Sequence, residues 1–419
     1  MISSAKALKI IGLIILLSVS FWFIFILFLA IKAPVSWGDE ALHGEIIKRL
    51  FSNQPVYPPF DITLFGRHLP LTTDMKHGVV EIYLLAPFMY LGGMTIEALR
   101  SGYIFWVVIT LLITYYFCFS FFSFAVANLA LILLAVNFPY FDYSRLGTTF
   151  GITLPFFVIS SLIFSFKWEQ RRNNLYLYLA FFFLALGFQV KGWFIYFILA
   201  LFICSLFFRS SWQKVSLRIK ITAAFVFSAV LLPFIFFYFK SSLTNFVVLN
   251  VAKTSTGKIN NFNIFGNLLT RLDHFAGIVS GSNDATLFLR IVPFLLFCLA
   301  FIFLIHLVLS KRLIIHSGKG VGFILLVFFF TFFLSVFTLT FLRQGHLIIL
   351  FPLVQIILAL AIVEAWKLSK NVFLKALVVL FTFFFIFFNL LFYRFFFLFS
   401  VLFVYIIFRN IINRQLQGF

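Results

Sequence analysis

Carboxylates are scarce in this chain and unevenly placed. Of its 12 Asp and Glu residues, seven fall between Asp39 and Glu97: Asp39, Glu40, Glu45, Asp61, Asp74, Glu81 and Glu97. The first pair, in Trp37-Gly38-Asp39-Glu40-Ala41, follows almost at once on a long apolar run. From Asp39 to Phe51 the apolar residues Ala41, Leu42, Ile46, Ile47 and Leu50 recur at helical spacing, as in a helix lying on a membrane surface. A carboxylate at such a boundary, partly stripped of water, takes up a proton more readily and can act as a general base. The same Asp39 would equally serve as the cap of that helix. Asp39 and His43, four apart, have the spacing of two metal ligands, but no third ligand lies near.

Other residues with chemical capacity follow at intervals. His77 and Glu81 fall on one side of the first turn of a predicted half-immersed helix, 79–91. Asp142 and Arg145, in Pro139-Tyr140-Phe141-Asp142-Tyr143-Ser144-Arg145, are three apart at a membrane boundary, where they either pair with each other or serve a ligand. Lys191 interrupts an apolar stretch as Gln189-Val190-Lys191-Gly192-Trp193. A lysine at mid-bilayer costs roughly 2.5–3.5 kcal/mol, so this one belongs at a turn or facing a polar cavity. Arg343-Gln344-Gly345-His346 joins two apolar runs. Cations at such depths suit the phosphate of a membrane lipid, or they snorkel to ordinary head groups.

The elements that must position these residues are membrane helices. The chain of 419 residues is 63% hydrophobic and 11% charged, where a soluble globule carries roughly 25% charged residues. Apolar runs fall near residues 8–31, 100–122, 124–141, 147–166, 175–190, 193–208, 219–239, 286–309, 321–342, 346–365, 373–392 and 394–409. Most are near the length of about 20 residues that crosses a bilayer. The first is too long for a signal-peptide core and reads as a retained anchor. The net charge of +20 does not point to nucleic acid. Its Lys and Arg residues are scattered through short loops and form no basic face. Cys118, Cys204 and Cys298 each lie within an apolar run, without disulfide or metal spacing.

Residues 79–93 decide the topology. They are short, contain Glu81 and Pro87, and end in Gly92-Gly93, so they read as interfacial or re-entrant. If they do not cross and the N-terminus is cytoplasmic, the clusters around Arg171, Lys214, Arg312, Lys370 and Arg409 all face the cytoplasm, as the positive-inside rule asks. The expectation is an all-α polytopic protein of about 12 transmembrane helices with both termini inside. It would form a single domain over 1–419, with juxtamembrane helices in a first outer loop at 32–99 and a second large outer loop at 240–285. Ten of the 12 carboxylates would then face outward, leaving Glu169 and Glu364 inside.

In order, these motifs resemble the C-type glycosyltransferase superfamily, on the branch of the protein O-mannosyltransferases and the lipid A aminoarabinose transferase. Asp39-Glu40 matches the acidic motif of that family's first outer loop. His77 through Leu91-Gly92 to Arg100 approximates its membrane-surface segment, and Asp142 with Arg145 its second loop. Gly187 to Lys191-Gly192 matches a Gly-x-x-x-Lys-Gly-type turn, and Arg343 through His346 to Pro352 a late Arg-containing segment. Departures are Gly78-Val79 after the His, the Asp-before-Arg order, and His346 where Tyr is common. The resemblance implies a polyprenyl-phosphate sugar donor, a lipid, glycan or protein acceptor, and a periplasmic-side site in a bacterial inner membrane. It implies Asp39 as inverting base, with Glu40 the alternative. Lys191 and Arg343 would serve the leaving phosphate, with Arg100 and Arg145 behind them. Asp142 would orient the acceptor or hold a cation. Some relatives need a divalent metal ion, but no ligand cluster here requires one. A transporter or flippase of lipid-linked sugars is the alternative function, and a non-catalytic scaffold a third; the crowding of acids into one loop and the lack of repeats favour the enzyme.

Overall fold

The structure, a computed structural model, describes residues 38–55, 61–71, 78–146, 151–207, 215–244, 264–280, 287–313, 318–337, 344–383 and 385–386. The expected apolar runs at 8–31 and 394–409, two of the 12 expected spans, lie outside the described residues. The described residues are all-α but for one small hairpin. They open with α1 (Gly38–Ser52), β1 (Asp61–Leu64), β2 (Arg67–Pro70), α2 (Val80–Leu91) and α3 (Ile96–Phe121). Next come α4 (Phe124–Ala135), α5 (Phe138–Leu146), α6 (Leu154–Arg171) and α7 (Asn174–Val190). A 3-10 turn (Gly192–Phe194) leads to α8 (Ile195–Phe207), α9 (Leu217–Thr244), α10 (Ile264–Ser280), α11 (Leu287–Leu309) and α12 (Gly318–Val336). A 3-10 helix (Gln344–Leu350) then runs into α13 (Phe351–Leu368), and α14 (Val372–Phe383) follows.

Four described segments are long and apolar enough to cross a membrane: Ile96–Phe121, Arg290–Leu309, Lys319–Val336 and Leu347–Leu368. By contrast α2, at 12 residues, is about 18 Å long, well short of a hydrocarbon core of about 30 Å. It doubles back along α3 instead. Trp106 Nε1 donates to the Leu84 carbonyl at 3.3 Å, Gly102 lies against Leu85 and Phe88, and Gly92 lies against Ala98. Rising numbers on one helix meet falling numbers on the other, so the pair is antiparallel. A Cβ on Gly92 would approach Ala98 Cβ to 2.4 Å. Small residues of this kind let helices approach where lipid supplies no hydrophobic drive between them.

Three boundaries differ from the sequence expectation, each for a local reason. The run 124–141 is two helices, because Asn137 ends α4 and its Oδ1 accepts the Tyr140 amide at 3.0 Å, starting α5. The next helix begins at Leu154 rather than 147: Gly151 has φ +68 and Pro155 fits only a first helical turn. The interval 240–285, expected as a loop, contributes helix α10.

Ring contacts fix the direction of the bundle. Trp106 meets Phe156 at 5.0 Å and Phe117 meets Phe166 at 5.3 Å, so α3 and α6 run parallel. Following the chain from there, the starts of α3, α6 and α8, the ends of α7 and α12, and the 3-10 helix share one end. The opposite end carries Lys167, Arg171, Arg172, Lys220, Lys311, Arg312, Lys319 and Lys367. Helix α13 stands at the centre, with every residue from Phe351 to Glu364 buried.

Candidate active site at one end of the bundle

The site end is built from pieces far apart in sequence. Helix α1 docks on α3 through two polar contacts one helical turn apart. Glu40, fully buried, accepts from Arg100 at both oxygens, 2.6 Å from Nε and 3.0 Å from Nη2. His43 Nδ1 and the Tyr103 hydroxyl are 3.2 Å apart. The bidentate geometry of the first pair is the strongest form a carboxylate–guanidinium contact takes. Glu40 and Arg100 thus occupy each other. The hairpin is held to the same scaffold: Asn53 donates to the Gly66 carbonyl and accepts from the His68 amide, and the Tyr83 hydroxyl donates to the Pro70 carbonyl.

A second cluster forms where α2 begins. Gly78 lies directly on the end of α7; a Cβ there would come within 2.4 Å of the Gln189 carbonyl oxygen. Only glycine permits that approach, which accounts for Gly78 at the place where the family pattern differs. Two turns of chain converge on it. Glu81, buried at the start of α2, accepts from Thr153 Oγ1 at 3.2 Å. Lys191 caps α7 in extended backbone and is 1% exposed. A Cβ on Gly151 would lie 2.8 Å from Lys191 Cγ. The Gly151-Ile152-Thr153 turn therefore touches Glu81 with one residue and the Lys191 stem with another. The Lys191 turn is tight because the Phe194 ring closes over Gly187.

Helix α5 brings Asp142, half-buried, to the same end. It is held there by Asn137, whose amide donates to the Ile278 carbonyl of α10, and by Tyr140 and Tyr143 against Phe351. His77 and Arg343 lie outside the described residues. So do the side chains of Asp39, Arg145 and His346, whose backbones fall in α1, α5 and the 3-10 helix.

Sequence reasoning missed Arg271. It is 2% exposed on α10, with Nε donating to the Ser335 carbonyl and Nη1 3.4 Å from His274 Nδ1, within electrostatic reach of Tyr196. His274 is held below its usual pKa, mainly by burial and then by Arg271. The signal available was the apolar periodicity of 264–279 inside a stretch otherwise read as loop. Among the described residues no three His, Cys, Asp or Glu side chains gather as a metal site would need.

The all-α fold resembles that of polytopic membrane enzymes of the GT-C fold. The resemblance is to their branch of aminoarabinose transferase and protein O-mannosyltransferases. Residues 76–237 match the family described as dolichyl-phosphate-mannose-protein mannosyltransferase. The structure is similar to that of apo ArnT from Cupriavidus metallidurans, with TM-score 0.57 and 14% identity over 86% of this chain and 60% of that one. The same enzyme bound to undecaprenyl phosphate aligns at TM-score 0.56 and 15% identity, over 90% of this chain and 63% of that one. The archaeal oligosaccharyltransferase AglB from Archaeoglobus fulgidus, in complex with an inhibitory peptide and a dolichol-phosphate, aligns at 0.53 and 13% identity, over 91% and 55%. The chain thus spans about 55–63% of the length of these proteins. No curated protein matches it in sequence.

Proposed function

We propose that this protein is a membrane glycosyltransferase that moves a sugar from a polyprenyl-phosphate carrier to an acceptor hydroxyl, with inversion at the anomeric carbon. The observation that carries the reading is the convergence of α1, the start of α2, Asp142 and the Lys191 turn at one end of a GT-C bundle. The lipid phosphates named with ArnT and AglB support the choice of donor.

In this mechanism the Asp39 carboxylate accepts the proton of the acceptor hydroxyl. The freed oxygen forms a bond to the anomeric carbon, and the bond to the carrier phosphate breaks with its electron pair passing to the phosphate oxygen. Asp39 is preferred over Glu40 as base because Glu40 is already bound at both oxygens by Arg100. For the same reason Arg100 positions α1 rather than meeting the phosphate. Lys191 and Arg343 offset the charge growing on the leaving phosphate, and preorganised cations of this kind act most strongly where water is excluded. Asp142 orients the acceptor. The site faces the side opposite the basic clusters, the outer face of a bacterial inner membrane.

The test is turnover of a polyprenyl-phosphate sugar by the purified protein in proteoliposomes, read as release of free carrier phosphate. Asp39→Asn should lower the rate by about 10²–10⁴-fold while carrier binding is kept. Lys191→Ala should cost about 10²–10³-fold. Normal turnover in a folded Asp39→Asn protein would remove the base assignment. Movement of intact lipid-linked sugar without phosphate release would make the protein a transporter.

A further inference from the structure

The β1–β2 hairpin has no part in the proposed chemistry, yet it is tied by hydrogen bonds to Asn53 and Tyr83 and carries a costly residue at its tip. Leu64 pairs with Arg67, so the loop is the two residues Phe65 and Gly66. Both have positive φ, +49 and +72, the backbone of a type I′ turn that Asn-Gly ordinarily supplies. A bulky aromatic in left-handed backbone is an outlier, and such outliers persist where function holds them. Among the described residues Phe65 gains nothing from packing: it is 96% exposed, and nothing lies within 4 Å of a Cβ placed on its neighbour Gly66.

The surroundings continue the apolar surface. Ile62 and Leu64 are exposed on β1, and Tyr90 and Leu91 on the last turn of α2. Phe51 and Tyr90 stack at 5.0 Å and close one side of a groove of ≈ 410 Å³, with Arg67 and His68 on its other side. Helix lengths put the base of the hairpin level with the candidate membrane span of α3. That base is tied to Tyr83, beside Leu84, which bonds Trp106. Trp106 is ten residues into α3, about 15 Å from its start. Helix α3 has 26 residues, about 39 Å, so only about 9 Å of it projects beyond the hydrocarbon core.

We propose that the hairpin is a lipid anchor, with Phe65 inserted among the acyl chains of the adjoining leaflet and Arg67 at the level of the lipid phosphates. Aromatic and basic side chains favour that boundary. The proposal rests on the membrane architecture and not on sugar transfer, so it stands or falls separately.

The experiment places a nitroxide at residue 65, through Phe65→Cys in a chain carrying Cys118→Ala, Cys204→Ala and Cys298→Ala. The protein is reconstituted in phosphatidylethanolamine–phosphatidylglycerol vesicles, and collisions with oxygen and with a nickel chelate are measured by power saturation. Oxygen collisions exceeding nickel collisions several-fold are expected. Dominant nickel collisions, or shielding from both by a protein partner, would overturn the proposal. Phe65→Gly gives a cysteine-independent check, since glycine suits φ +49. Its unfolding temperature in micelles should be unchanged or higher, while amide exchange of 61–70 in vesicles becomes several-fold faster. Unchanged exchange would also overturn the anchor.

Discussion

A buried glutamate and arginine sixty residues apart, Glu40 and Arg100, decide how α1 is seated. Taking two charges out of water is offset only when geometry and hydrogen bonding are good, and losing one partner strands the other. Arg100→Met should therefore destabilise the protein by about 3–5 kcal/mol, and adding Glu40→Gln should restore most of it. Denaturant unfolding of the four proteins in detergent measures the cycle; additive losses would show that the two side chains act independently. Residue by residue, legibility followed how far away the partner lies. Lys191 announced a turn because an apolar run cannot carry a lysine through its middle. Asp39 is preferred to Glu40 in the sequence through the family motif alone, since the contact that occupies Glu40 depends on α1 docking against α3.

The elements divide in the same way. Helices α3, α7 and α13 follow from uninterrupted apolar length, and α2 from its shortness and its Gly92-Gly93 end. The hairpin and α10 were hidden, being short pieces within stretches whose polarity reads as loop; the alternation in Asp61 to Pro70 and the periodicity of Ile264 to Ser280 were the available signs. On α10, His274 faces Arg271, with Asp273 and Arg290 close by. Burial disfavours its charged form most, the two arginines add to that, and Asp273 opposes them. A histidine with a folded pKa below the unfolded 6.5 takes up its proton more readily when unfolded. Its contribution is complete above pH 6.5 and lost as pH falls from there through the lowered folded value. His274→Asn should flatten the decline in unfolding temperature below pH 6.5; an identical decline would place the acid sensitivity elsewhere.

For the whole molecule, the telling feature is the sorting of charge to two ends. Glu40, Glu81, Asp142 and Lys191 lie at one, and Lys167, Arg171, Arg312 and Lys367 at the other. Positive residues mark the cytoplasmic ends of membrane helices. Single cysteines at positions 48 and 97 should therefore react with an impermeant maleimide added outside intact cells. Cysteines at 172 and 311 should react only after the membrane is opened. Labelling of 97 and 172 from the same side would refute the assignment.

From Phe351 to Glu364 helix α13 has no flank left for lipid, since every residue there is buried against protein. It is a mast rather than a stave. Neighbours at the rim can exchange one oily side chain for another because fluid tails accommodate the change. On the mast every such exchange presses on a sister helix, and through the 3-10 collar at Gln344–Leu350 it reaches the mouth where the sugar would be handed over. Drift in this sequence should thus be least along the axle and greatest on the rim.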